Sequence, residues 1–265
     1  MSTKLTADTL IPLSISERKA LILQEASTID VDNVSDESLH LAYQYGKVIS
    51  SIAEDYFKYQ IEQDSLGDSV LKTERQSELI NNQTEIFTRD FIDWLEKYFE
   101  NKKATLEDNY NPRNLYELCG ANLLVTSNSV TRQLNTRMGK LWEEISSISP
   151  YVIIPELEFG EKLTGVDIVI LSEETVYFAQ LKTQKNTLTG SQAPRAKKEL
   201  GIHDNSLFCA AFNLSGWTFP QNAKIPRIAG KDFWDKIHID YSIVETFTKN
   251  MLQRIDKVYA ELAAN

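Results

Sequence analysis

The sequence predicts an α/β protein, with a helical first half followed by a sheet laid out as helix, three strands, helix, strand. Three observations predict it. Apolar residues in the first half recur near a 3.6-residue period. After residue 127 short β-branched runs replace that pattern. Two of these runs, "VDIVIL" and "TVYFAQLKT", are separated only by Ser172-Glu173-Glu174, a hairpin-length turn.

The elements follow in order. In "DESLHLAYQYGKVISSIAEDYFKYQIEQ", Leu39, Tyr43, Ile49, Ile52, Ala53 and Phe57 share a helical face, and Asp36 is placed to cap it. The next helix carries Leu79, Ile86, Phe87, Phe91, Trp94, Leu95 and Tyr98, an aromatic stripe that reads as core. Asn111-Pro112 breaks the chain, and a short helix over roughly 113–124 closes the N-terminal helical region, residues 1–125. The second domain, 126–265, opens with "NSVTRQLNTRMGKLWEEISSIS", whose Leu134, Met138, Leu141, Ile145 and Ile148 form one face. "YVIIPELEF" reads as a short first strand closed by Pro155, with Glu156 and Glu158 as rim acids at its end. After the hairpin, the polar loop "QKNTLTGSQAP" leads to a helix, "RAKKELGI", and a fourth strand, "SLFCAAFNL". A final amphipathic helix, "DYSIVETFTKNMLQRIDKVYAELAAN", offers an apolar face for core or dimer contact.

Composition narrows the class. Hydrophobic residues at 42% and charged residues at 25% are ordinary for a folded soluble chain. No apolar run approaches the ~20 residues that span a bilayer, and "MSTKLTADTL" has no signal-peptide apolar region. Cys119 and Cys209, in apolar surroundings and without CxxC spacing, read as buried thiols of a cytoplasmic protein. His40, His203 and His238 have no ligand spacing, which argues against a zinc site. The net charge is −10, yet residues 1–125 hold 12 basic against 22 acidic side chains, and the remainder holds 16 of each. The second half is therefore neutral overall, and local basic clusters there can still meet phosphates.

Chemistry concentrates in the hairpin. Gln180 and Lys182 lie two apart on one strand and so point to one face. Asp167, near the start of the adjacent strand, can lie beside them. Charge inside an apolar strand costs several kcal/mol unless it is compensated. Either Asp167 and Lys182 form a salt bridge at the sheet edge, or the group is a metal site for phosphodiester hydrolysis. In the second case aspartate holds Mg²⁺ and lysine positions water. Downstream, Lys185, Arg195, Lys197 and Lys198 form a basic cluster interleaved with Asn186, Thr187, Thr189, Ser191 and Gln192, types that bond phosphates and base edges. "NLSGWTFPQNAKIPR", with Asn213, Trp217, Gln221 and Asn222, is a second surface of that kind, or a polar connection anchored by Trp217.

The order of elements, with Asp167 and Gln180-Leu181-Lys182 on consecutive strands, resembles the PD-(D/E)XK nuclease superfamily. Arg137 to Glu143 looks like the helix preceding the sheet in type II restriction endonucleases. "IPRIAGKDFWDKI" looks like their later strand and Gly-X-X-Phe-Trp helix start. The likeness covers roughly residues 127–240. It implies Mg²⁺-dependent, sequence-specific cleavage of double-stranded DNA by a homodimer. Asp167, Gln180 and Glu143 would be metal ligands and Lys182 would position the attacking hydroxide. Gln180 departs from the motif, which has a carboxylate there. Glu143 from the preceding helix, or Glu199 from the following one, would then supply the missing charge, with Glu156 and Glu158 as weaker candidates. A DNA-binding module that has lost catalysis and a structure-selective repair nuclease are the alternatives.

Overall fold

The computed structural model describes residues 5–107, 111, 112 and 114–264; Arg113, within the expected 113–124 helix, lies outside them. The architecture is mixed α/β, with ten α-helices and one five-stranded mixed sheet among the described residues. The chain divides into two compact units, each made of two stretches: Met1–Gln76 with Trp142–Tyr241, and Ser77–Leu141 with Ser242–Asn265. No helix among the described residues is long and apolar enough to cross a membrane.

The first unit holds the sheet. Strands β1 (Val152–Ile153), β2 (Ile168–Ser172) and β3 (Thr175–Gln184) form an antiparallel meander, and β4 (Ser206–Phe212) and β5 (Arg227–Ala229) add in parallel in the order β1-β2-β3-β4-β5. The hairpin turn forms as expected: Glu173 and Glu174 both take positive φ (51° and 59°), which a two-residue turn between twisted strands requires. The first strand is shorter than "YVIIPELEF" suggested. Pro155 does not end it but opens a one-turn helix, α7 (Pro155–Phe159), because proline's missing N–H is harmless at a first helical position. Glu156 and Glu158 therefore belong to a helix and not to a strand end.

Two further helices absent from the sequence expectation pack here. Helices α1 (Ala7–Leu10) and α2 (Ile15–Ala26) precede the first expected helix. Ser14 and Glu17 close a capping box on α2, each side chain meeting the other's backbone N–H. Asp36 caps a short 3₁₀ turn, Glu37–Leu39, which feeds α3 (His40–Leu66). Arg18 ties these pieces together, donating to the carbonyls of Leu10 and Ile11 and to Tyr56 Oη, and pairing with Glu158 of α7. Tyr45, Ile49, Ile52 and Phe57 of α3 join Val169, Phe178 and Phe208 of the sheet in one buried core. Helix α8 (Gln192–Leu200) crosses from β3 to β4 and starts three residues before the expected Arg195, with Pro194 accommodated in its first turn. Helix α9 (Lys231–Lys236) follows β5 at Gly230, whose φ of 59° suits glycine, and Trp234 Nε1 donates to Ala211 O at 2.8 Å.

The second unit is helical, built from parts of α4 (Thr73–Glu107) and α6 (Asn122–Ser146), with α5 (Leu115–Leu118) and α10 (Tyr241–Ala264). The expected 113–124 helix thus splits into α5 and the first residues of α6. The stripe is core only in part: Phe91 and Leu95 are buried, Ile86 is exposed, and Leu79, Phe87, Trp94 and Tyr98 are half-buried. Phe87, Phe91, Trp94 and Tyr98 contact one another in succession, and the Arg137 guanidinium lies 5.6 and 5.4 Å from the Phe91 and Trp94 ring centroids. Cys209 is buried as expected, but Cys119 is exposed, because α5 turns its apolar residues outward along with it.

His203 carries a pH-dependent part of the stability. Its ring stacks on Phe178 with centroids 4.3 Å apart, over Gly46, where any side chain would collide with the imidazole. Burial lowers its pKa from 6.5 to about 4, with Asp204 opposing and Lys47 assisting that shift. The unfolded chain therefore takes up a proton before the folded one. The stabilisation is whole above pH 6.5 and is lost as pH falls toward 4. Urea unfolding at pH 7 and pH 4.5 should differ more for the wild type than for His203→Leu, by up to ~3 kcal/mol. Equal pH dependence in the two proteins would remove His203 from this role.

Candidate active site

The site forms where β2 begins. The β2–β3 ladder starts at Ile168 paired with Ala179, so continuing it by one residue sets Asp167 opposite Gln180, on the same face. The Asp167 backbone still pairs, its N–H donating to Ala179 O at 2.9 Å. Beyond that point β3 has no strand partner on this side. Asp167 supplies one with its side chain: Oδ2 accepts the Leu181 N–H at 2.8 Å and lies 3.4 Å from Lys182 Nζ. Asp167 and Lys182 are 19% and 27% exposed, sheltered enough for the pair to be felt and open enough to be reached.

Gln180 completes the face. Its Oε1 is shielded from solvent and has no hydrogen-bond partner among the described residues. An unbonded sheltered amide oxygen costs roughly 1–3 kcal/mol, and native structures usually satisfy one with protein, ordered water or an ion.

Glu143 arrives from the last turns of α6. Trp142, fully buried, fixes that end of the helix by donating from Nε1 to Thr183 Oγ1 at 3.0 Å and by packing edge-on against Phe212 at 5.2 Å. The neighbouring Glu143 then lines a cleft shared with Ile154, Pro155, Glu156, Lys162, Leu163, Val166 and Asp167. Its free space is about 20 Å³, room for one water-sized guest. Burial pushes the Glu143 carboxyl up to about 7; the charge of Asp167 adds to this, and Lys162 and Lys182 oppose it. Gln180 and Lys182 do not line the cleft and approach Asp167 from the strand.

The other acids divide clearly. Glu199 is 7% exposed and does not line the cleft, and Arg195 Nε holds its Oε1 at 2.6 Å. It fills the space that Gly165, at φ 79°, leaves by having no side chain. Glu158 is committed to Arg18 and Tyr56. Glu156 does line the cleft, because α7 turns it there. Lys162 is the member that the sequence reading missed: it lies in the loop between α7 and β2, and no pattern in "GEKLTG" marks it.

As a cation site, the set offers hard oxygen donors: the Asp167 and Glu143 carboxylates and the unbonded Gln180 amide oxygen. One or two carboxylates with remaining positions left to water and phosphate suit Mg²⁺. Among the described residues no three His, Cys, Asp or Glu side chains gather at metal-binding range. The candidate set contains only two such groups, with the amide as its third.

The basic stretch after β3 is partly spoken for. Arg195 pairs with Glu199, and Lys198 pairs with Asp36 at 2.5 Å. Gln192 Oε1 accepts the Thr189 N–H, Thr187 donates to Gln184 O, and Asn186 Oδ1 accepts from Gln184. Lys197 and Ser191 are exposed, and Lys185 is half-buried against Trp217.

Comparison with protein-family models, with curated proteins and with solved structures finds no match to this chain.

Proposed function

We propose that the protein is a Mg²⁺-dependent endonuclease of the PD-(D/E)XK type, cutting double-stranded DNA at specific sites as type II restriction enzymes do. One observation carries the reading. Asp167 stands opposite an unbonded Gln180 Oε1 and within 3.4 Å of Lys182 Nζ, beside a cleft into which Glu143 projects. Acid, amide oxygen and lysine on one face, with a second acid across a water-sized space, are the parts that metal-assisted phosphodiester hydrolysis needs.

Asp167, Gln180 and Glu143 would hold the cation. When bound there, Mg²⁺ supplies stabilisation of the charge that builds on the phosphate and on the leaving 3′-oxygen. The chain's own residues do the rest. Lys182 donates to the oxygen of the attacking water, aiming it at phosphorus, and its positive charge offsets that of the phosphate. The Leu181 amide fixes the Asp167 carboxylate, so its orientation is set before substrate arrives. Lys162 faces the same cleft and places a second positive charge beside the strand being cut. A homodimer would match its twofold axis to a palindromic site.

Incubated with Mg²⁺ and plasmid, the protein should give discrete bands. A smear or flap-dependent cutting would indicate a repair nuclease. Retardation without cutting under any divalent metal would indicate a DNA-binding module, of which Gln180 in place of a carboxylate would be the mark. Asp167→Asn keeps an acceptor for the Leu181 N–H, so the fold should hold while cleavage falls roughly a hundredfold or more. Lys182→Ala should lose as much. Wild-type rates in either variant would reduce Asp167 and Lys182 to a structural ion pair.

The source of the missing charge is separately testable. Gln180→Glu should keep activity and need less Mg²⁺, since an anionic oxygen attracts a hard cation more strongly than an amide. Glu143→Gln should be severely impaired, leaving Asp167 as the sole anionic ligand of the proposed set. Glu199→Gln should cut almost normally. The reverse order of the last two would move the acid to α8.

A further inference from the structure

The loop after β4 and the loop after β3 form one surface. Thr218 N–H donates to Lys185 O at 3.0 Å, Thr218 Oγ1 donates to the same carbonyl at 3.2 Å, and Leu188 N–H donates to Thr218 Oγ1 at 3.2 Å. Phe219, fully buried, stacks on Phe208 at 4.2 Å, and Ile225 is buried beside it, so the second loop is fixed onto β4. Between the two loops stands Trp217. Lys185 Nζ lies 6.0 Å and the Arg227 guanidinium 5.3 Å from its ring centroid. Arg227 is aimed further by donating to Phe219 O at 2.6 Å and to Gln221 Oε1 at 3.0 Å.

Two cations thus share one ring, and among the described residues neither has a carboxylate partner; nor has the exposed Lys224 on the same loop. Residues 182–198 and 213–227 together carry seven Lys or Arg and no Asp or Glu, in a chain whose net charge is −10. Holding like charges near one another costs free energy that an incoming polyanion would relieve. Arg195 and Lys198 differ, because Glu199 and Asp36 already neutralise them.

We infer that Lys185, Trp217, Lys224 and Arg227 form a preorganised ledge for the phosphate backbone of duplex DNA, and that the ion-paired cations of α8 are not its main contacts. The ledge rests on the nuclease reading for its choice of polyanion. Its cations have no acidic partner among the described residues and its loops are braced, so a backbone can bind without first breaking ion pairs.

The test is binding of a labelled DNA duplex, read by fluorescence anisotropy across a salt series in Ca²⁺, so that cleavage plays no part. Lys185→Gln with Lys224→Gln removes two charges whose ammonium groups make no hydrogen bond among the described residues, so the loops keep their bracing. It should weaken binding more than tenfold at low salt and lower the slope of log K against log salt by about 0.9 per lost contact. Arg227→Gln should act alike, whereas Arg227→Lys, which keeps charge but loses the fork, should stay near the wild-type slope. Asp36→Asn with Lys198→Gln removes an internal pair at no net change in charge and should leave the slope unaltered. Wild-type binding with slopes unmoved by the Lys185 and Lys224 change overturns the ledge alone, as does a larger effect from the Asp36 and Lys198 pair. A wild type that binds no duplex, or that prefers an RNA hairpin, overturns the DNA reading together with the ledge.

Discussion

The carboxylate of Asp167 does two jobs that its position at a ladder's end makes compatible. The β2–β3 pairing stops at Ile168 and Ala179, and the next amide on that side of β3, Leu181, would otherwise lack this acceptor. An anionic oxygen answers that need with a charge-assisted bond, stronger than a neutral one. The same anion compensates Lys182, whose ammonium would be costly to shelter alone. Each of the two charges offsets the cost of the other in this half-sheltered place. Stability and the proposed chemistry would therefore draw on one group.

Around that pair the sheet acts as a mounting. Trp142 bonds Thr183 and packs on Phe212, so the end of α6 is held against β3 and Glu143 has little freedom to withdraw from the cleft. The Asp167–Lys182 pair and the Glu143 carboxyl lie close enough to influence one another, which is why the Asp167 charge contributes to raising the Glu143 pKa. Gln180 introduces no further negative charge into this crowd. A carboxylate at 180 would add a third anion beside Asp167 and Glu143, and without a cation that repulsion would weaken the hairpin. The amide is thus consistent with a site that stays folded when empty and offers oxygen to a hard cation without demanding one.

Much of this was legible in the residues, and the exceptions have physical causes. Alternating Gln180 and Lys182, and the two-residue turn before them, placed the face correctly because strand geometry has a period of two. The later strand and the helix starting after Gly230 were readable for a similar reason, glycine marking the turn. Pro155 misled because proline ends a strand and opens a helix with equal ease, and only tertiary context chooses between them. Helix α2 was missed although Ser14 and Glu17 spell a capping box. Lys162 and the ion pairs of Arg195 and Lys198 were not legible at all. A loop residue has no period, and which acid faces a lysine depends on elements far apart in sequence, as Asp36 and Lys198 are.

The central claim is that Asp167, Gln180 and Glu143 make a divalent-cation site. Its most direct measurement is Mn²⁺ binding to the folded protein by calorimetry or electron paramagnetic resonance, without DNA. Mn²⁺ serves as a hard-cation probe close to Mg²⁺ in its preference for oxygen. The account predicts a site that Asp167→Asn abolishes, Glu143→Gln weakens, Gln180→Glu tightens and Glu199→Gln leaves intact, all in variants that remain folded. No Mn²⁺ binding by the wild type, or binding that survives Asp167→Asn unchanged, would contradict it.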